Sequence, residues 1–325
     1  MLKKYKNKLV AVLVAVSMLA MQAMPVAAQG SGNGLSISPT KAEFSIEKGK
    51  AETVSIQVKN LTKGKVIAKA FVNDFEADSD TGNPKLIIDR SSEVSSSSLA
   101  TFILGLEDVA LGPEETKEVL LTIQVPENAI SGAYFGAIRF TSVPDTGDGT
   151  KPDSQVSLNA SVATILLVEV PGNITQKIQV QNVQVLNAAG KSSSIFTTAP
   201  KKVAVDVKNT GNGFAKPFGK VLVKNMNGSQ VDSYELNDTV PRGNVLPNTT
   251  RSFKNDIKGI KLPGRYTVEA NVSFAKGEIL LVTASFWYLP IWFLAIAGIL
   301  LVALVVAAIY LYKRYISRPV SKRTK

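Results

Sequence analysis

Between about Gly34 and Ser285 the chain alternates apolar and polar positions in short runs separated by turn residues, with no long stretch of helical period. Val54, Ile56 and Val58 alternate with Ser55, Gln57 and Lys59. Val119, Leu121, Ile123 and Val125 form a second run, and Tyr266, Val268, Ala270, Val272 and Phe274 a third, opposed by Thr267, Glu269, Asn271 and Ser273. A strand with one apolar and one wetted face belongs to an antiparallel sheet packed against another. The pattern therefore predicts β-sandwiches rather than a parallel α/β fold.

An internal repeat divides this β region in two. Residues 54–60 (Val-Ser-Ile-Gln-Val-Lys-Asn) are echoed by 203–209 (Val-Ala-Val-Asp-Val-Lys-Asn), and a turn follows each, at Leu61 to Gly64 and Thr210 to Gly213. Leu111-Gly112-Pro113 is answered by Leu246-Pro247, and Gly132-Ala133-Tyr134 by Gly264-Arg265-Tyr266. Three matches in one order predict two copies of one sandwich type. Asp145, Gly147, Asp148, Gly149 and Pro152 mark a long polar loop, Ser157 to Val170 reads as a further strand, and Pro171-Gly172 is a natural break. The predicted organisation is a signal peptide at 1–28, an outer Ig-like domain at 29–172, a membrane-proximal Ig-like domain at 173–286, a transmembrane helix at 287–312 and a basic tail at 313–325.

Both ends depart from the alternation. Lys3, Lys4, Lys6 and Lys8 precede the apolar run Leu9 to Ala20 and the small residues Pro25 to Ala28, the pattern of a secretory signal peptide cut after Ala28. Leu289 to Leu311 is free of charge and as a helix would extend about 34 Å, enough to cross a hydrocarbon core of about 30 Å. Trp287, Tyr288 and Trp292 would mark one interface, and Tyr310, Tyr312 and Tyr315 the other. Lys313 and Arg314 open a tail that carries Arg318, Lys322, Arg323 and Lys325 and no acid, which places that tail in the cytoplasm and the bulk of the chain outside. The expectation is a single-pass protein of the plasma membrane with an extracellular ectodomain.

These ends also explain the charge. The chain has 37 Lys and Arg against 26 Asp and Glu, a formal net charge of +11. Taking the four signal-peptide lysines and the six tail cations from 37 leaves 27 cations against 26 acids, so the intervening region is nearly neutral. A basic footprint on the folded part, which nucleic-acid binding needs, is missing. The chain contains no His and no Cys, which removes imidazole bases, thiolate nucleophiles, disulfides and His- or Cys-ligated metals. Any catalysis would rest on carboxylates, Lys, Ser or Tyr. A Cys-free secreted ectodomain also favours a bacterial source.

Two stretches carry candidate chemistry. Asp74, Glu76, Asp78 and Asp80 place carboxylates at alternate positions, as in a loose calcium loop. The sixth position is Ser79 rather than Gly and the twelfth is Lys85 rather than Glu, so an acidic, solvated hairpin is the competing reading. Tyr134 and Phe135, adjacent on a predicted strand, must point to opposite faces, one into the core and the other available to stack on a sugar or dock a partner. No catalytic residue and no cofactor is indicated.

Residues 111–116 (Leu-Gly-Pro-Glu-Glu-Thr), 125–128 (Val-Pro-Glu-Asn) and 132–140 (Gly-Ala-Tyr-Phe-Gly-Ala-Ile-Arg-Phe) resemble the peptidoglycan-binding domain of the WxL-interacting surface proteins of Gram-positive bacteria. Thr81 to Pro84 fits a hairpin of that domain, and residues 209–212, 243–247 and 262–266 resemble the second domain. The resemblance implies a cell-surface module that binds peptidoglycan with its outer domain and a secreted or host protein with its inner one, and it identifies no individual binding residue. The expected function is a non-catalytic surface binding protein for wall polymer, a surface protein or both. An accessory subunit holding another membrane protein, and a carboxylate-based wall hydrolase, are the alternatives.

Overall fold

The computed structural model describes residues 34–88, 95–145, 161–274 and 277–315. The signal-peptide segment with its cut after Ala28, most of the polar loop after Pro144 and the tail beyond Tyr315 lie outside the described residues. Among the described residues the chain is β apart from one 3-10 turn (Ala100–Phe102) and one long C-terminal helix, and its strands build two Ig-like β-sandwiches.

In the outer domain the strands are β1 (Leu35–Ser38), β2 (Lys41–Ser45), β3 (Ala51–Asn60), β4 (Val66–Asn73), β5 (Phe75–Ala77), β6 (Pro84–Leu86), β7 (Ile103–Leu104), β8 (Val109–Leu111), β9 (Thr116–Gln124), β10 (Gly132–Pro144) and β11 (Ser161–Val170). One sheet has the order β1-β3-β9-β7 and the facing sheet β2-β11-β10-β4-β8, while β5 and β6 form a separate hairpin. In β3, Val54, Ile56, Val58 and Asn60 are buried and their neighbours exposed. The alternation read from the sequence is thus an inward and an outward face. Ile56, Val58, Leu121, Ile123, Ile138 and Phe140 meet between the sheets, and each such fully buried apolar side chain contributes about 1.5–3 kcal/mol.

The inner domain repeats the plan with β12 (Ile178–Leu186), β13 (Ile195–Phe196), β14 (Lys202–Asn209), β15 (Phe218–Asn225), β16 (Gln230–Leu236), β17 (Thr250–Asp256), β18 (Gly264–Phe274) and β19 (Glu278–Tyr288). Its sheets are β12-β14-β17 and β13-β19-β18-β15-β16. The parallel pair β13–β19 answers the parallel pair β2–β11.

The repeated sequence positions do the same work in both copies. Asn60 and Asn209 are buried at the end of equivalent strands, and each amide donates to two loop carbonyls, Gly64 and Gly112 in one domain, Gly213 and Val245 in the other, at 2.7–2.9 Å. Each Oδ1 accepts a backbone N–H two residues on, from Thr62 and Gly211. The Tyr134 hydroxyl donates to the Ile130 carbonyl at 2.9 Å, and the Tyr266 hydroxyl to the Leu262 carbonyl at 2.7 Å.

The C-terminal helix, α1 (Ile291–Tyr315), has 25 residues, a peak mean hydropathy of 2.9 and no buried residue. Among the described residues it is the one helix long and apolar enough to cross a membrane. Trp287 and Tyr288, expected at a helix end, instead finish β19. The Trp287 N–H donates to the Ser194 carbonyl and the Leu289 N–H to the Phe196 carbonyl, both at 2.8 Å, so pairing holds this segment extended as far as Leu289. Pro290 cannot continue a strand ladder but suits the start of a helix. Trp292 lies in the first turn of α1, and Tyr310, Tyr312, Lys313 and Arg314 in its last part, with Trp292, Tyr310 and Tyr312 exposed.

Candidate functional site at the domain junction

Strand β10 breaks the alternation, because Ala133, Gly136, Ala137, Ile138 and Phe140 are all buried. A strand buried on both faces must be covered twice. One face meets the outer core. The other, with Phe135 and Ala137 and the neighbouring Leu167 of β11, meets Phe75 from the β5–β6 hairpin and Leu246 and Phe214 from the inner domain. Phe135 and Phe75 pack with ring centroids 5.2 Å apart. Tyr134 turns the other way, onto Phe102 at 4.7 Å and the outer core. The two adjacent aromatics thus do lie on opposite faces, with Phe135 contributing to the contact between domains.

Polar groups fix the domains around this apolar contact. Glu43 on β2 accepts from Lys41 of its own strand at 2.6 Å, and from Lys216 at 2.5 Å and Asn244 at 3.0 Å across the junction. Partial burial alone would raise the Glu43 carboxyl, but the hydrogen bonds and charges of Lys216 and Lys41 outweigh it and hold the pKa at about 2. Asn212, in the turn after β14, accepts the Ala133 N–H on its carbonyl at 2.8 Å, and its amide donates to the Ser131 and Asn173 carbonyls. The link between domains is tight: Gly172 has φ +137°, and a Cβ there would sit 2.2 Å from the Ser131 hydroxyl.

The acidic stretch runs along the first arm of the β5–β6 hairpin, with Asp74 before β5, Glu76 within it and Asp78 and Asp80 at the tip. Asp78 Oδ1 accepts the Asp80 N–H, the Thr81 N–H and the Thr81 hydroxyl at 2.7–3.0 Å, and the Thr81 bonds hold the Asp78 carboxyl below its ordinary range. Asp80 pairs with Lys254 of β17, Asp74 accepts the Ser98 hydroxyl at 2.6 Å, and Glu76 stands opposite Lys85. The four carboxylates therefore have four different surroundings. Among the described residues no three acids gather as a metal-binding group.

This hairpin leans on the inner domain, where the Ser252 N–H of β17 donates to the Ser79 carbonyl at 2.9 Å. Gly82, with φ +70°, lies against the Arg251 guanidinium, where a Cβ would come within 2.2 Å of Nε. Arg251 is half-buried, which pushes its pKa down, and it is held by the Asn244 carbonyl at 3.0 Å and by the Phe253 ring at 5.2 Å. Beside this contact lies a polar cleft of about 370 Å³, lined by Asp80, Gln184, Asp206, Thr250, Ser252 and Lys254 among others.

The sequence offered no local indication of Glu43 or Lys216, and although Asn244 lay in the segment 243–247, nothing there linked it to them; they meet only through the fold. Asn212 did lie in one of the repeated turns.

No protein-family model matches the sequence, and no curated protein matches it. Solved structures with a similar arrangement include the class 5 fimbriae chaperone CfaA, at 13% identity over 79% of this chain and 100% of that one, with a TM-score of 0.37. The CsuC-CsuE chaperone-tip adhesion subunit pre-assembly complex of Acinetobacter baumannii matches at 15% identity, 77% and 97% coverage and a TM-score of 0.35. The PapD-like domain 7 of human CEP192 matches 46% of this chain and 92% of its own, at 10% identity and a TM-score of 0.29. The expected kinship with the WxL-interacting proteins is corrected by these findings: no family model supports it, and the structural neighbours are fimbrial chaperones and a PapD-like domain. The motifs behind the resemblance are mostly turns and strand ends, such as Thr81 to Pro84 and Gly132 to Tyr134, which many sandwiches share.

Proposed function

We propose that the chain is a membrane-tethered, non-catalytic binding protein that takes an extended segment of another surface protein onto the open edge of β17. The observation that carries this reading is the state of that edge. The other sheet edges are short, as in β1, β2, β7, β8 and β13, or irregular, with register shifts in β12 and in the pairing of β16. Short and bulged edges are the usual protection against strand addition. Strand β17 is a regular seven-residue edge with one outward group already bonded, the Ser252 N–H to Ser79. By the period of the ladder the backbone of Lys254 also faces outward, beside the polar cleft. A partner strand added there would gain main-chain hydrogen bonds from β17 and side-chain contacts from the residues of β17 itself, Thr250 and Lys254.

The same cleft supports a second reading, a wall polymer such as peptidoglycan, because its lining offers hydroxyl, amide and carboxylate groups to a glycan. A photocrosslinking residue at Lys254 of the full chain in its own membrane separates the two. Crosslinking to one stoichiometric protein supports the strand-docking reading. Crosslinking to wall fragments alone would reject it in favour of the polymer.

A further inference from the structure

The end of the inner domain away from the outer one carries four exposed apolar side chains on four separate segments. Ile195 is 56% exposed on β13, Trp287 45% on β19, Leu262 71% in the loop before β18, and Met226 72% in the turn between β15 and β16. Register brings them to the same end. Ile195 pairs with Trp287, Gly264 with Tyr288, and Asn225 with Tyr266. With neighbouring strands about 4.8 Å apart, the row from β13 through β19 and β18 to β15 spans about 15 Å.

This is also the end from which α1 leaves, and only Pro290 separates the last backbone-bonded residue, Leu289, from the first helical one. The loop bearing Leu262 is itself fixed, since the Tyr266 hydroxyl holds the Leu262 carbonyl at 2.7 Å. Lys261 and Arg265, which flank Leu262 and Gly264 along the chain, are exposed. Apolar and Trp side chains rimmed by cations are the composition of a surface that sits in a bilayer interface and meets anionic headgroups.

We propose that Ile195, Met226, Leu262 and Trp287 form a docking surface for the bilayer in which α1 is rooted, so that the ectodomain stands on the membrane in one orientation instead of swinging on its helix. The proposal rests on reading α1 as a membrane span. The continuity of β19 with α1 selects the bilayer over other occupants, because a domain joined without a linker cannot lift this end far from the membrane.

The absence of cysteine makes the test clean, since each introduced thiol is unique. Met226→Cys, Leu262→Cys, Leu120→Cys on the outer domain and Val305→Cys within α1 are each labelled with an environment-sensitive fluorophore. The full chain is reconstituted into phosphatidylcholine–phosphatidylglycerol vesicles carrying a lipid with a spin label near its headgroup or in its acyl chain. The proposal expects blue-shifted emission and headgroup-level quenching at Met226 and Leu262, several-fold above that at Leu120, with acyl-level quenching at Val305. Quenching at Val305 with water-like emission at Met226 and Leu262 would overturn the docking surface and leave the span intact. A blue shift at Met226 and Leu262 without lipid quenching would overturn it in favour of a second copy. Absence of quenching at Val305 would remove the span and the docking surface together.

Discussion

At the scale of single residues, the two buried asparagines are the strongest test of the internal repeat. Each bonds two carbonyls and one N–H in the interior, and alanine would leave the Thr62 and Gly211 N–H groups and the Gly213 carbonyl without those partners. Asn60→Ala and Asn209→Ala should each cost about 2–3 kcal/mol, read as a lower urea midpoint at unchanged slope. Tyr134→Phe and Tyr266→Phe remove one hydrogen bond each and should cost about 1 kcal/mol. Glu43 sets a pH dependence. Its carboxyl has an ordinary pKa of 4.5 and one of about 2 when folded, so its contribution is fully present above about pH 4.5 and fades as pH falls toward 2. Because Lys216 and Asn244 lie in the other domain, small-angle scattering should show the domains loosening over that window. Glu43→Gln should flatten that part of the profile.

At the scale of elements, what the sequence revealed depended on whether a strand had a wet face. Strands β3, β9 and β18 each have one face in a core and one in water, so period-two alternation announced them. Strand β10 has neither face free along much of its length, and residues 132–140 read as a nearly continuous apolar run. Such a run needs a second covering layer, and the residues that supply it, Leu246 and Phe214, lie far along the chain. Likewise Glu43 and Lys216 are 173 residues apart, and no local pattern links them. The acidic stretch illustrates the converse. Its spacing suggested one cation site, whereas hairpin geometry directs Asp78 to its own turn and Asp80 to Lys254. The hairpin's seat on β17 has its own test. Gly82→Ala would push a methyl into the Arg251 guanidinium, so amide exchange at Ser252, whose N–H is bonded to Ser79, should accelerate while the cores exchange as before.

At the scale of the whole molecule, the apolar contact at the junction and its polar surround make two sandwiches into one body. Leu246→Asp would place a charge against Phe75, Phe135 and Leu167, and the domains should then separate, with a larger radius of gyration and two unfolding transitions in place of a coupled one. A fixed junction matters for binding because the polar cleft and the β17 edge are shaped by both domains. Proline at Lys254 tests this most directly, since it deletes the outward N–H that a docked strand would use yet is tolerated on an edge. The measurement is recovery of the protein that co-purifies with the full chain from its own membrane, compared between Lys254→Pro and Lys254→Arg at equal thermal stability. The account predicts that Lys254→Arg retains the partner stoichiometrically and Lys254→Pro loses it; full retention by Lys254→Pro would contradict strand docking at this edge.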